Sequence, residues 1–256
     1  MANGKFGIMY PIVLVIKRLL RTLLYRILLR IPLPLGLERV KWHKLFFNKN
    51  NFVYKDIENV FSKIYTANLW SSKESRSGGG SHISTTKTIR EKLPILWKQY
   101  DVKTFLDIPC GDYNWMKEVE KKDIVYIGGD IVDELIQQNN EKYSSGNISF
   151  KIIDMTKDEI PTVDMILCKD CLQHLSYEKI FKALNNFKRS KSKYLLTTSY
   201  SATIYNWDIL DGDYRPLNLR KKPFCLPKPI MKIREKSKGI DVEGDKDLYL
   251  YKIADL

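Results

Sequence analysis

Three aspartates stand where apolar, β-branched runs end: Asp107, Asp130 and Asp154. The first opens the segment Asp107-Ile-Pro-Cys-Gly-Asp-Tyr, in which Gly111 lets the backbone turn tightly and come close to a ligand. A helix expected over Trp115–Lys122 would then offer its N-terminal amides to that ligand. Asp130 follows Gly128 and Gly129, about 20 residues beyond the glycine turn, a spacing suited to ribose hydroxyls. A fourth run leads into Cys168-Lys169-Asp170-Cys171-Leu-Gln-His174. Taken singly, Asp107 equally suits a helix cap, Asp130 a surface charge and Asp154 a turn. Three acids closing three consecutive runs, with a glycine turn after the first, are far more specific. A dinucleotide site calls for G-x-G-x-x-G, whereas this turn has one glycine followed by Asp112 and Tyr113. Nor is there a crowd of Arg or Lys to grip a pyrophosphate.

Proton chemistry has few candidates, because the chain holds only His43, His82 and His174. His174 lies four residues after Asp170, which on a helix puts the two side chains on one face. A histidine oriented by a carboxylate is a suitable general base near neutral pH. Asp170 as the base itself, or a capping Asp170 with a packing His174, are the alternatives. His82, beside the glycine-rich stretch Ser71–Ser81, is expected to belong to a lid or cofactor loop. The loop Tyr205–Arg220 is longer than a simple connection, and aromatic faces with paired polar groups suit sugars. Its Asn206, Trp207, Asp213, Tyr214 and Arg215 are the candidate acceptor contacts, the plainer alternative being a surface loop with an aromatic anchor. Cys168-x-x-Cys171 has the form of a redox or zinc pair but lacks a second pair or a histidine cluster. Free thiols at the end of a buried strand fit better, and no metal site is expected. Four scattered cysteines form no disulfide framework and suit a reducing compartment.

The elements that must position these residues alternate regularly. Strand-like runs at Thr104–Ile108, Ile124–Gly128, Ile148–Ile153, Val163–Cys168 and Tyr194–Thr198 are separated by helical stretches at 115–122, 132–143 and 176–189. That alternation predicts a mostly parallel α/β sheet with helices on both faces. Ile230–Glu235 and Leu248–Ile253, joined by a polar loop containing glycine, predict a closing hairpin. Helix-like spacing also occurs at 57–65 and 85–100.

Of the net charge of +13, residues 1–49 carry most, with ten Lys/Arg against the single acid Glu38. The remainder carries only +4, so nucleic acid is not an expected partner. Within residues 7–37, the uncharged run Ile8–Ile16 is too short to span a bilayer, which takes about 20 residues. Lys17, Arg18, Arg21, Arg26 and Arg30 then fill a broad arc opposite Leu20, Leu23, Leu24 and Ile27. A basic, partly amphipathic helix lying on an anionic membrane is the expectation, with a helix packed on the domain or a partner as the alternative. The expected organisation is a membrane-associating segment over 1–37 and one domain over 38–256, begun by a helical extension over 38–100. A cytoplasmic protein, peripheral on a membrane, is the corresponding location.

In order, FLDIPCGDYNWM, YIGGDIV, FKIIDM, DMILCKDCLQHLS and KYLLTTSY resemble motifs I to V of class I S-adenosylmethionine-dependent methyltransferases, over residues 68–253. The resemblance implies a Rossmann-like seven-stranded sheet with a reversed last strand and S-adenosyl-L-methionine as cofactor. It implies that Asp107 and Gly111 hold the amino-acid end, Asp130 the ribose, and Asp154 with Met155 the adenine. Pro109, Cys110, Ile131 and Lys169 complete the implied cofactor contacts. Pro109 and Tyr113 replace two glycines of the family's usual motif I. A narrower resemblance, to small methyltransferases of glycan building, rests on W-x3-ES-x-SG-x-GS from Trp70, C-[KR]-D-x3-H from Cys168, and N-x-D-x3-G-D-Y-R-x2-N-L-x3-P-F-x-L-P from Asn206. It implies O-methylation of a sugar hydroxyl, with a glycan or its precursor as acceptor. A small metabolite, lipid or protein acceptor, and a non-catalytic scaffold with the same fold, are the competing expectations.

Overall fold

The seven apolar runs form the seven strands of one sheet in the computed structural model, which describes residues 56–235 and 246–256. The basic segment 1–37, and with it the start of the helical extension, lies outside the described residues. The strands are β1 (Thr104–Asp107), β2 (Val125–Asp130), β3 (Ile148–Ile152), β4 (Met165–Cys168), β5 (Tyr194–Tyr200), β6 (Met231–Arg234) and β7 (Lys246–Lys252). Their spatial order is β3-β2-β1-β4-β5-β7-β6. Pairing is parallel from β3 through β5, and β7 runs antiparallel to both of its neighbours. The expected architecture, including the reversed strand, is therefore present. Because β1, β2 and β4 are parallel and in register, Asp107 pairs with Gly128 and Leu167, and their carboxyl ends share one edge of the sheet.

Side-chain alternation along the strands feeds two cores, one on each face. Phe105, Tyr126, Leu167 and Leu196 face one way, against α2 (Lys87–Gln99) and α3 (Asp133–Tyr143). Leu106, Ile166 and Leu195 face the other, against α4 (Tyr177–Arg189) and the start of α1 (Ile57–Thr66). In α4 the apolar stripe Ile180, Ala183, Leu184 and Phe187 follows helical spacing and is buried throughout. Burying a side chain such as Phe187 contributes roughly 1.5–3 kcal/mol. Among the described residues no helix is long and apolar enough to cross a membrane.

One expected helix is absent. Residues 115–122 hold a single 3-10 turn, Met116–Glu118. The buried Lys121 ammonium takes the carbonyls of Met116 and of Val119 (2.8 Å); Met116 otherwise accepts only the 3-10 bond from the Val119 amide (3.1 Å), and no helix continues beyond it. Ahead of it, Gly111 and Tyr113 both adopt left-handed backbone conformations. The turn thus offers no long helix N-terminus to a ligand.

Candidate functional site

A cleft runs over the carboxyl ends of β1, β2 and β4, enclosing about 980 Å³ of open space with its mouth included. Asp107, Pro109, Cys110, Gly111, Asp130, Ile131, Asp154, Met155 and Lys169 all line it. So do Asp170 and His174. The sheet brings together residues spread over almost seventy positions because each follows a parallel strand.

The three aspartates differ in state. Asp107 is buried and accepts a hydrogen bond from the Tyr126 hydroxyl at 2.9 Å. Burial pushes its carboxyl up to about 7, against the hydrogen bond and the nearby cations Lys121 and Lys169. Asp130 accepts from the amides of Val132 and Gly111, both at 3.1 Å. Burial raises it to about 6, and the amides oppose that rise. The Ile131 amide also bonds it, and the carboxylate keeps acceptor capacity for a ligand hydroxyl. Asp154 caps the following turn, accepting from the Thr156 amide at 2.8 Å and hydroxyl at 2.7 Å. The apolar side chains of Ile131, Leu135, Ile153 and Met155 form the neighbouring wall. Together these groups can take a cationic group, a diol and a flat base.

The Ser71–Ser81 stretch is clamped across the glycine turn. Asp112 accepts from the Ser75 hydroxyl at 2.8 Å and the Arg76 amide at 2.7 Å, while Ser77 Oγ accepts from the Asp112 amide at 3.0 Å. The approach is close enough that a Cβ on Gly111 would lie 2.2 Å from Ser77 Oγ, and its φ of +55° already favours glycine. Lys169 Nζ donates to the Gly80 carbonyl at 2.9 Å, and a Cβ on Gly80 would lie 2.5 Å from Asp170 Oδ2. His82, expected in a lid, bonds Ser72 at 2.7 Å within this segment.

Asp170 and His174 do not form the expected pair. Asp170 has a φ of +51°, and residues 172–174 form a 3-10 turn, so no α-helical turn joins them. The Asp170 carboxylate instead bonds Lys169, Lys246 (3.1 Å) and Gln173 (3.1 Å). Glu235 completes a cluster with both lysines, 3.4 Å from Lys169 and 3.3 Å from Lys246. Burial opposes charge on Asp170, but the two lysines outweigh it and hold the carboxyl well below the usual range. Such a group is a poor proton acceptor.

His174 is oriented by the Asp213 backbone carbonyl, 2.8 Å from Nδ1. Its ring lies between Trp70 and Tyr214, with centroids at 5.6 and 5.5 Å. Burial lowers its pKa, so the ring is neutral at pH 7.

The candidate acceptor loop divides into two groups. Asn206 is buried and braces the loop internally, with Nδ2 donating to the Asn218 carbonyl at 2.8 Å and Oδ1 accepting from the Asn218 amide at 2.9 Å. Arg215 is fully buried, donates to the Leu175 carbonyl at 2.7 Å and stacks its guanidinium 5.3 Å from the Tyr177 ring. Neither lines the cleft; both brace the loop from within. Trp207 is partly exposed and also lies off the cleft wall. Asp213 and Tyr214 reach the site through His174. Trp70, which the sequence marked only by motif, lines the cleft, as do Arg76, Ser77, Ser81 and Trp115. Cys168 and Cys171 are buried free thiols, and hydrogen bonding with Cys168, then burial, raises Cys171 well above its ordinary value.

No family model matches the sequence, and no curated protein matches it. Solved structures match in fold. The N-methyltransferase NodS from Bradyrhizobium japonicum, in complex with S-adenosyl-L-homocysteine, superposes with a TM-score of 0.54 at 13% identity, over 74% of this chain and 98% of that one. The methyltransferase domain of bacterial CtHen1-CN gives 0.51 at 9% identity, over 66% of this chain and 99% of that one. The alignment with human N-acetylserotonin methyltransferase spans 52% of this chain and 44% of that one, at 14% identity and a TM-score of 0.42. The chain has the fold of S-adenosylmethionine-dependent methyltransferases.

Proposed function

We propose that the chain is an S-adenosylmethionine-dependent methyltransferase that methylates a sugar hydroxyl of a glycan or glycan precursor. The observation that carries the cofactor reading is the single cleft lined by all nine strand-end residues. Its donor set suits the molecule. The buried carboxyl of Asp107 matches an ammonium, Asp130 a ribose diol, and the Ile131, Ile153 and Met155 wall a purine. Asp107, Asp130 and Asp154 close β1, β2 and β3, and the cation Lys169 at the end of β4 is already paired with Asp170 and Glu235, as suits a cationic ligand better than a pyrophosphate.

When bound, the cofactor supplies an activated methyl group. The chain's own part is to orient the acceptor beside it, exclude water and remove a proton. His174 suits the last task. A carbonyl oxygen only accepts, so Nδ1 carries the hydrogen toward Asp213 and Nε2 keeps its lone pair. Trp70 and Tyr214 supply aromatic faces beside that ring, which supports an acceptor with an apolar C–H face, such as a sugar. The motif resemblance to glycan-building methyltransferases supports the same acceptor. The basic segment 7–37 is proposed to hold the domain on the cytoplasmic face of an anionic membrane.

Calorimetric titration with S-adenosylmethionine and S-adenosylhomocysteine tests the cofactor; absence of binding in the folded protein leaves only a scaffold. Mass spectrometry of glycans from cells with and without the gene tests the acceptor. A methyl group lost from a lipid, a protein or a small metabolite, with glycans unchanged, moves the activity to that class. A chain beginning at Glu38 is expected to bind cofactor fully and anionic vesicles weakly; vesicle binding equal to that of the full chain removes the membrane assignment.

A further inference from the structure

Behind Asp107 lies a buried cation that the methyl-transfer chemistry does not use. Lys121 is 7% exposed, and its ammonium is held by the carbonyls of Met116 and Val119. It sits 5.0 Å from the centre of the Tyr113 ring and 5.5 Å from that of Tyr126. The Tyr126 hydroxyl in turn donates to Asp107 Oδ2 at 2.9 Å. A lysine held this way forgoes water for two carbonyls and two ring faces, and burial lowers it to about 8. A cation kept at that cost alters the charge of whatever it faces.

We propose that Lys121 and Tyr126 are positioning residues that set the charge of Asp107 before the cofactor arrives, and thereby how cofactor affinity varies with pH. The proposal rests on the cofactor reading above. The other groups facing Asp107 are Lys169 beyond β4, Asp130 at the end of β2, and Cys110 and Tyr113 in the glycine turn. Lys169 is neutralised within its own cluster, and Asp130 opposes a second negative charge. Cys110 and Tyr113 are held protonated, both by burial and by the charge of Asp107. Tyr126 and then Lys121 favour the carboxylate most, ahead of Lys169. Without cofactor, Asp107, raised by burial to about 7, is divided between its two forms near that pH. When the cofactor's ammonium binds, the protonated fraction loses its proton to solvent and the carboxylate pairs with the cation. Binding therefore weakens below pH 7.

The hydrogen bond and the cation both favour the charged form, so removing either raises the Asp107 midpoint. Loss of a hydrogen bond to a charged group corresponds to roughly 1–2 pH units, or about a fivefold to fiftyfold weaker affinity at pH 7. The test uses carbon-13 carboxyl NMR of the cofactor-free protein, with the Asp107 signal assigned by Asp107→Asn, and cofactor titrations from pH 5.5 to 9. Tyr126→Phe and Lys121→Met are expected to raise both the carboxyl midpoint and the acid limb of affinity. Tyr126→Phe keeps the ring, so it serves if Lys121→Met fails to fold. A carboxyl midpoint that stays put in a folded Tyr126→Phe protein overturns the proposal. Shifted midpoints in a protein that binds no cofactor at any pH keep the charge relay and discard the cofactor reading.

Discussion

His174 Nδ1 and the Asp213 carbonyl oxygen are 2.8 Å apart, so a backbone atom and not a carboxylate fixes which ring nitrogen is bare. A backbone carbonyl orients the ring without adding a full negative charge beside it. Burial then keeps the pKa low, and the ring stays a neutral acceptor at neutral pH.

His174→Ala should lower turnover roughly 100-fold to 10,000-fold, the range for a positioned general base. Cofactor affinity should hardly change. Because burial lowers the pKa of His174, turnover at saturating cofactor should stay level down to about pH 6.5, the ordinary histidine value, and fall only below it. Steady-state rates against pH check this; a His174→Ala enzyme turning over at the wild-type rate removes the assignment.

Asp170→Asn should act on stability. It removes one of the two carboxylates that face Lys169 and Lys246, and breaking one partner of a buried charge cluster costs roughly 3–5 kcal/mol. Asp170 is ionised in the fold below its unfolded pKa, so its contribution is full above pH 4 and is lost as pH falls through the folded value. Urea melts of the variant and the wild type measure the difference. A variant as stable as wild type but without turnover would return the proton-accepting role to Asp170.

Gly80 and Gly79 form an internal control. A Cβ on Gly80 meets Asp170 Oδ2 at 2.5 Å, whereas one on Gly79 has nothing within 4 Å. Gly80→Ala should displace the loop from the cleft at a cost of roughly 1–3 kcal/mol, and Gly79→Ala should be close to neutral. Cofactor affinities of the two proteins should differ accordingly, and equal affinities would mean that the clamp has no part in binding.

Asp130→Ala should weaken cofactor binding about tenfold to a hundredfold, through lost charge-assisted hydrogen bonds. The Gly111 and Val132 amides, which donate to different oxygens, also lose their partner; Asp130→Asn keeps an acceptor for one of them and sets its NH2 against the other. Calorimetry on both variants decides whether the carboxylate charge contributes.

The strands were legible because each is a short, largely apolar run set between helical or turn-forming stretches. The cleft followed from them, since parallel strands gather their ends at one edge. Trp115–Lys122 misled because helical spacing says nothing of a lysine that folds back onto the carbonyls of its own turn. Asp170 and His174 misled in a similar way: a spacing of four implies a shared helical face only where the backbone is helical, and Asp170 has a left-handed φ. Arg215 resembled a surface contact because no pattern announces that a guanidinium will be fully buried. The cluster of Lys169, Asp170, Glu235 and Lys246 joins residues more than sixty positions apart, and local pattern does not reach that far.

The position of β7 has a consequence for the growing chain. It is inserted between β5 and β6, both of which leave the ribosome before it, and six of its seven residues are buried. Until residues 246–252 have been synthesised, β5 keeps a bare edge, ready to pair with a neighbouring nascent chain. Lys246 is also missing from its place beside Asp170 until then, so the cleft and the sheet reach completion in the same late step.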